Sequence, residues 1–435
     1  MDRPCNREDI VRTHHAALEV VHAVADLLAD PDAAPVGHRT AAADRQQLAY
    51  GLPGIALLHI ERAAAGLGPW RRAHDWLAAA ARQPFTSGPD SHPFYGAPAF
   101  AYVLACAAEH LPGSYEQALD TMDRQMVADV CRRLGAAHRR IEVGLLPELA
   151  EYDVIRGLSG YGAHLLRRNP ASATVRTVLD YCVRLTDPIT HEGETLPGWW
   201  VETGPSGRPD DRFPGGHANT GVAHGIGSVL ALLALAARHG TLVDGHHDAM
   251  RTILAWLDRW REETGRNLAW PYWVTRSELR EGRTAPSAPR RPSWCYGTAG
   301  IARVQQLAAL ALGDTSRQIE AENALVAAVT DTAQLKATTD NGLCHGFAGL
   351  VHVVARSADD ADPSTAGRLR AAIPALLTAM CSPVSNPTDA ALAMTQDKAG
   401  GPGFLNGAAG IALALQAAAT GEPPRSAWDT CLLIA

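Results

Sequence analysis

Internal repetition restricts the fold of this chain more than any other feature. A Gly-x-x-Gly, or a near variant of it, followed at once by an apolar run occurs seven times in 435 residues. The copies start at Gly51, Gly96, Gly157, Gly225, Gly297, Gly346 and Gly407, with Ala99 and Ser228 standing in for the second glycine in two of them. The runs behind these glycines are rich in Ala and Leu and apolar on nearly every face, as expected of helices buried on all sides. Strict alternation is absent and alanine is a poor strand former, so strands are disfavoured. Small residues at the first and fourth positions would let each first turn approach a neighbouring backbone closely.

A second, amphipathic class of helix lies between the copies, over residues 8–29, 70–82, 115–138, 172–186, 242–262, 315–336 and 365–380. Seven polar-faced helices alternating with seven apolar ones predict an all-α chain built as an α/α toroid, a double ring of inner and outer helices. It is expected to form a single domain over residues 1–435, because no internal linker interrupts the pattern. Three connections into inner helices, 187–220, 264–294 and 382–402, are long and rich in Pro, Gly and Trp. Long loops in a compact domain are usually functional, and these three should reach one rim.

The charge balance narrows the function. The net charge of −7 comes with no basic block, the pair Arg290–Arg291 being too short to track a phosphate backbone, which argues against nucleic acid. The N-terminus is charged where a signal peptide would be apolar. The longest apolar run, 225–237, falls short of the roughly 20 residues that span a bilayer, so no membrane insertion is expected and the location is read as cytoplasmic. The ending Cys431-Leu-Leu-Ile-Ala435 places its cysteine one residue too early for prenylation. Eight cysteines spread over this length do not make a disulfide framework.

Reading backward from the repeat glycines sharpens the picture. Cys295 and Cys344 each lie two residues before their glycine, His345 and His224 one before theirs, and Asp153 four before Gly157. Equivalent repeat positions share a level on a ring, so these residues should gather at one rim, at helix N-termini that favour a thiolate. Two cysteines and a histidine suit zinc, and three protein ligands leave a fourth tetrahedral position open. Packing alone also places a Cys-His pair before an apolar helix. His224 is either an acid/base or a histidine satisfying a carbonyl, and Asp153 a helix N-cap, an orienting carboxylate, or both. Cys5, Cys106, Cys131, Cys182, Cys381 and Cys431 read as packing residues, and His59, His164 and His352 as core histidines.

Ser293-Trp-Cys-Tyr-Gly-Thr-Ala-Gly300, Leu343-Cys-His-Gly-Phe-Ala-Gly349, Ala223-His-Gly225 and Gly403-Phe-Leu-Asn-Gly-Ala-Ala-Gly-Ile411 together resemble the LanC lanthipeptide cyclases. The resemblance spans Gly51 to Leu415. It implies an α/α toroid that uses Zn2+ to add cysteine thiols of a dehydrated precursor peptide to dehydroalanine or dehydrobutyrine, closing thioether rings. By motif it assigns Cys295, Cys344 and His345 to the metal and His224 to acid/base work. Asp153 and Arg291 match a family aspartate and a family arginine near the metal. Trp294 and Tyr296 flank a proposed ligand and are the first candidates for a peptide-binding wall, ahead of Trp199, Trp200, Trp270 and Trp273. A dehydratase and a transporter are the partners such an enzyme would have. Two alternatives stay open: addition of glutathione to dehydrated residues by the same chemistry, and a non-catalytic scaffold that binds a leader peptide. A toroidal glycosidase or terpene cyclase would need paired carboxylates or an aspartate-rich motif, and none is evident at the rim.

Overall fold

The computed structural model describes residues 7–34, 42–264, 267–285, 290–381 and 386–435. Each repeat glycine is followed by a helix: Leu52–Ala64, Ala97–Ala108, Leu158–Arg168, Ile226–Arg238, Thr298–Leu312, Phe347–Asp360 and Ala408–Thr420. These helices are buried along nearly their whole length. The amphipathic stretches form Arg7–Leu27, Trp70–Ala80, Glu116–Glu142, Ala173–Arg184, His246–Trp260, Thr315–Thr330 and Pro363–Cys381. His246–Trp260 shows why they lie outside. It buries His246, Ala249, Met250, Ile253, Leu254, Leu257 and Trp260, a single stripe at helical spacing.

The chain divides into two compact units. The first comprises Met1–Ser87, Phe94–Asp120 and Thr338–Trp428. Within it the inner helices Phe347–Asp360, Ala408–Thr420, Leu52–Ala64 and Ala97–Ala108 pack in that order, and Arg7–Leu27 covers Ala408–Thr420, so the first helix of the chain pairs with the last inner one. The second comprises Gly88–Pro93, Thr121–Ala337 and Asp429–Ala435. Its inner helices Leu158–Arg168, Ile226–Arg238 and Thr298–Leu312 pack side by side, each backed by the outer helix that follows it.

Among the buried charges that interrupt the apolar inner class, Glu61 and Arg303 each clamp the C-terminal segment. Glu61 accepts from the backbone N–H groups of Arg425 and Ser426 at 3.0 and 2.8 Å, and Arg303 donates to the carbonyl of Ile434 at 3.0 Å. These three bonds satisfy charges that would otherwise be costly to bury.

The entering turns are stitched together by a repeated backbone bond. In the second unit Val154 N donates to Ala223 O at 3.3 Å and Val222 N to Cys295 O at 3.0 Å. In the first, Cys344 N donates to Leu405 O, Phe404 N and Leu405 N to Ala49 O, and Leu48 N to Phe94 O, all at 2.8–2.9 Å. In every case the acceptor is the residue two before a repeat glycine. This bond is the physical reason that equivalent positions hold one level within each unit. The second glycine of the motif serves the same turn. A Cβ at Gly349 would stand 1.9 Å from Leu343 O, and one at Gly410 1.7 Å from Phe404 O. The close approach expected at this glycine is therefore to the helix's own entering turn.

Three expectations need correction. The stretch 315–336 is broken at Asp331, whose side chain accepts from Ala333 N and Gln334 N and so starts a separate helix, Thr332–Lys336. The connection 382–402 carries a helix, Pro387–Gln396, capped by Asn386. The other two long connections contain short strands. Trp200–Val201, His217–Asn219 and Trp273–Thr275 form an antiparallel sheet with Asn219 opposite Trp273, tying the two loops together.

Candidate metal centre

Three side chains predicted to bind metal come together. The ligand atoms of Cys295, Cys344 and His345 all lie within 4.8 Å of one another. Donors 2.0–2.3 Å from a tetrahedral ion stand roughly 3.3–3.8 Å apart, a spacing that falls inside this limit. Two thiols that ionise and one imidazole match the charge and softness of zinc. Cys295 is buried, and Ser293 Oγ lies 3.7 Å from its sulfur. Gly297, which ends the Cys295 turn, sits at φ 124°, a conformation that excludes most side chains.

His224 is built into the neighbouring turn of the same unit as Cys295. Asp153 uses its two oxygens differently. Oδ1 accepts from Arg156 N at 2.6 Å and Gly157 N at 2.9 Å, while Oδ2 accepts from His224 Nδ1 at 2.6 Å. Asp153 is 1% exposed, whereas the His224 side chain is 33% exposed. A carboxylate only accepts, so Nδ1 carries hydrogen and Nε2 is left to exchange a proton. Burial alone would depress the His224 pKa, but the Asp153 hydrogen bond and charge, with a smaller contribution from Cys295, raise it above its ordinary 6.5.

An aromatic cluster lies beside this histidine. Tyr296 stands 6.4 Å from the His224 ring, 5.6 Å from Tyr272 and 6.0 Å from Trp273, centroid to centroid. Asn219 Nδ2 donates to the Tyr296 hydroxyl at 3.1 Å. Tyr272 donates to Arg291 O at 3.0 Å, and burial pushes its hydroxyl pKa up to about 12, Arg291 opposing and Cys295 adding to the rise. Arg291 lies six residues before Gly297, the position that Asn219 and Asp340 occupy before Gly225 and Gly346.

The proposed peptide wall divides. Tyr296 and Trp273 are half-buried and keep accessible surface. Trp294 does not. It is 1% exposed and its Nε1 donates to Leu432 O at 3.0 Å, so it anchors the C-terminal segment and presents no face to a peptide. Trp199, Trp200 and Trp270 are buried as well, the last two bonded to Gly215 O and Leu257 O.

Among the remaining cysteines, Cys106, Cys182 and Cys431 are buried, and burial pushes the Cys182 thiol up to about 12. Cys131 is exposed on Glu116–Glu142, contrary to a packing role. Cys5 and the Cys381 side chain lie outside the described residues. His59 Nε2 lies 2.6 Å from Leu28 O, and His352 stacks on Trp428, both consistent with core positions.

Sequence reading missed Asn219, Asp340 and Tyr272. Asp340 Oδ2 lies 3.4 Å from His345 Nε2. Reading six residues back from each glycine, rather than two, would have found the first two.

A mainly helical fold with a Cys-Cys-His cluster and a carboxylate-held histidine defines the class, and comparison with known proteins specifies it. The description "Lanthionine synthetase C-like protein" matches residues 42–433, and the chain belongs to that family. It is 28% identical over 207 residues to nisin biosynthesis protein NisC of Lactococcus lactis subsp. lactis, a match covering 47% of this chain and 48% of that one. The match thus spans about half the length of that curated relative. The solved structure of nisin cyclase aligns with a TM-score of 0.71 at 22% identity, over 90% of this chain and 92% of the other. This likeness establishes the helical toroid fold. No helix of the described residues is long and apolar enough to cross a membrane.

Proposed function

We propose that this protein is a zinc-dependent lanthipeptide cyclase, which adds cysteine thiols of a dehydrated precursor peptide to dehydroalanine or dehydrobutyrine and so forms thioether rings. The observation that carries this reading is the convergence of Cys295, Cys344 and His345 within 4.8 Å. These residues would hold the ion, which when bound would lower the pKa of an incoming thiol and keep it ionised near neutrality. Because the two cysteines and the neutral imidazole already balance a divalent charge, an added thiolate would be loosely held and remain nucleophilic.

The chain's own residues do the rest. Attack at the β-carbon leaves negative charge on the adjacent carbonyl and requires a proton at the α-carbon. His224 delivers that proton from Nε2, because Asp153 occupies Nδ1 and raises the ring's affinity for its proton. Arg291 would stabilise the developing enolate or hold the peptide. Tyr296 and Trp273 supply half-buried aromatic surface against which the peptide would lie. Thiol ligands favour a reducing compartment, the cytoplasm, alongside a dehydratase that supplies the substrate and a transporter that removes the product.

The test is metal content together with ring closure on a dehydrated peptide, followed by loss of free thiols. The parent should hold about one zinc per chain. Cys295→Ala and Cys344→Ala should lose both metal and turnover, and zinc retained at full stoichiometry in both variants would refute the ligand assignment. His224→Asn should keep the metal yet lose turnover by roughly 100-fold or more. Glutathione consumed faster than the peptide's own cysteines would transfer the reading to the intermolecular alternative.

A further inference from the structure

We infer that Asp340 is a positioning residue for His345, holding the imidazole through Nε2 so that Nδ1 carries the lone pair that meets the metal. The inference rests on the zinc reading of Cys295, Cys344 and His345.

One side-chain construction occurs three times. Asp153 fixes Oδ1 on the backbone N–H groups of Arg156 and Gly157 and aims Oδ2 at His224. Asn219 fixes Oδ1 on Gly221 N at 3.0 Å and aims Nδ2 at the Tyr296 hydroxyl. Asp340 fixes Oδ1 on Gly342 N at 2.9 Å and aims Oδ2 at His345 Nε2, 3.4 Å away. In each case one side-chain atom is spent on the residue's own turn, which immobilises the side chain. The second atom is thereby directed at a ring placed for chemistry.

The turn that carries Asp340 is itself rigid. Its carbonyl accepts Phe347 N at 3.1 Å, Gly346 N donates to Gly342 O at 3.0 Å, and a Cβ on Gly346 would strike the Asp340 carbonyl at 2.5 Å. His345 therefore meets a fixed acceptor. A carboxylate accepting from one imidazole N–H selects the tautomer with its lone pair on the other nitrogen and makes that nitrogen a stronger donor to a cation. Ring rotation, which would otherwise be lost only on metal binding, is restricted beforehand.

Asp340→Asn separates this role from a merely structural one. Asparagine can keep Oδ1 on Gly342 N, so the turn survives, but it then presents an amide N–H to His345 Nε2–H, two donors facing each other. Asp340→Ala removes both the Gly342 N bond and the carboxylate facing His345. Zinc affinity is measured by competition with a chromophoric chelator, with thermal melting to confirm folding. Both variants should bind zinc about 10–100-fold more weakly than the parent. If Asp340→Asn matches the parent while Asp340→Ala falls, Asp340 serves the turn alone and the inference is wrong. A parent that takes up no zinc would overturn the metal reading instead. The orientation is still decided in that event by the imidazole 15N shifts of His345: hydrogen on Nε2 in the parent, shifting towards Nδ1 in Asp340→Asn, supports the inference, and equal shifts in the two proteins overturn it.

Discussion

Asp153 settles at the residue scale a question that its sequence position left open, since it serves as a turn cap through one oxygen and as a partner of His224 through the other. The consequence for pH is definite in sign. His224 is raised above 6.5 in the folded chain, with Asp153 and Cys295 raising it and Arg156 and burial opposing. The stabilisation from the pair is therefore complete below 6.5 and is lost as pH rises through the folded pKa. Ring closure that needs the protonated ring should fall over the same interval. Asp153→Asn keeps the turn bonds but removes the charge, so that fall should move to lower pH in a pH–rate profile. An unmoved limb would show that His224 is not the titrating donor. The gathering of Cys295, Cys344 and His345 and the nearness of His224 to Asp153 were legible from their spacing to a glycine. Trp294 was misjudged because adjacency to a ligand in sequence says nothing about which way a side chain faces.

At the scale of elements, the repeat glycines dictate where the helices begin. Gly349→Ala would drive a methyl group into Leu343 O, next to Cys344. Overpacking of this kind costs about 1–3 kcal/mol, so both denaturant midpoint and zinc affinity should fall. Gly367 is the control. It is exposed inside Pro363–Cys381 with nothing within 4 Å of its missing Cβ, and Gly367→Ala should stabilise the protein by up to about 1 kcal/mol. Equal effects at the two sites would refute the close-approach argument. All fourteen helical stretches expected from the pattern contain helix. The break at Asp331 escaped because the apolar period continues across it, and the strands Trp200–Val201, His217–Asn219 and Trp273–Thr275 escaped because segments of two or three residues carry no period.

For the whole molecule, buried histidines set the response to acid. Burial depresses His59, His92 and His217 to about 4. The unfolded chain takes up protons at these groups near 6.5 while the folded chain does not, so stability should drop as pH falls from about 6.5 to about 4. Each contributes on the order of a few kcal/mol over that interval. Melting temperature measured against pH should show this decline, and His59→Phe should make it shallower. Phenylalanine can still stack on Trp76, whose Nε1 continues to satisfy Leu28 O. A slope unchanged by that substitution would mean that His59 does not drive the acid response.

The sequence alone determined the helical class, the inner and outer sets, and the phase that places thiol, imidazole and carboxylate at equivalent turns, because each is a periodic property of the chain. Tertiary structure decided which atoms of those side chains meet. The three bonds of Asp153, the hold of Asn219 on Tyr296 and the approach of Asp340 to His345 depend on how an Asx side chain divides its atoms between its own turn and a ring. That division depends on where each turn sets its neighbour's ring in space, which no spacing of letters encodes.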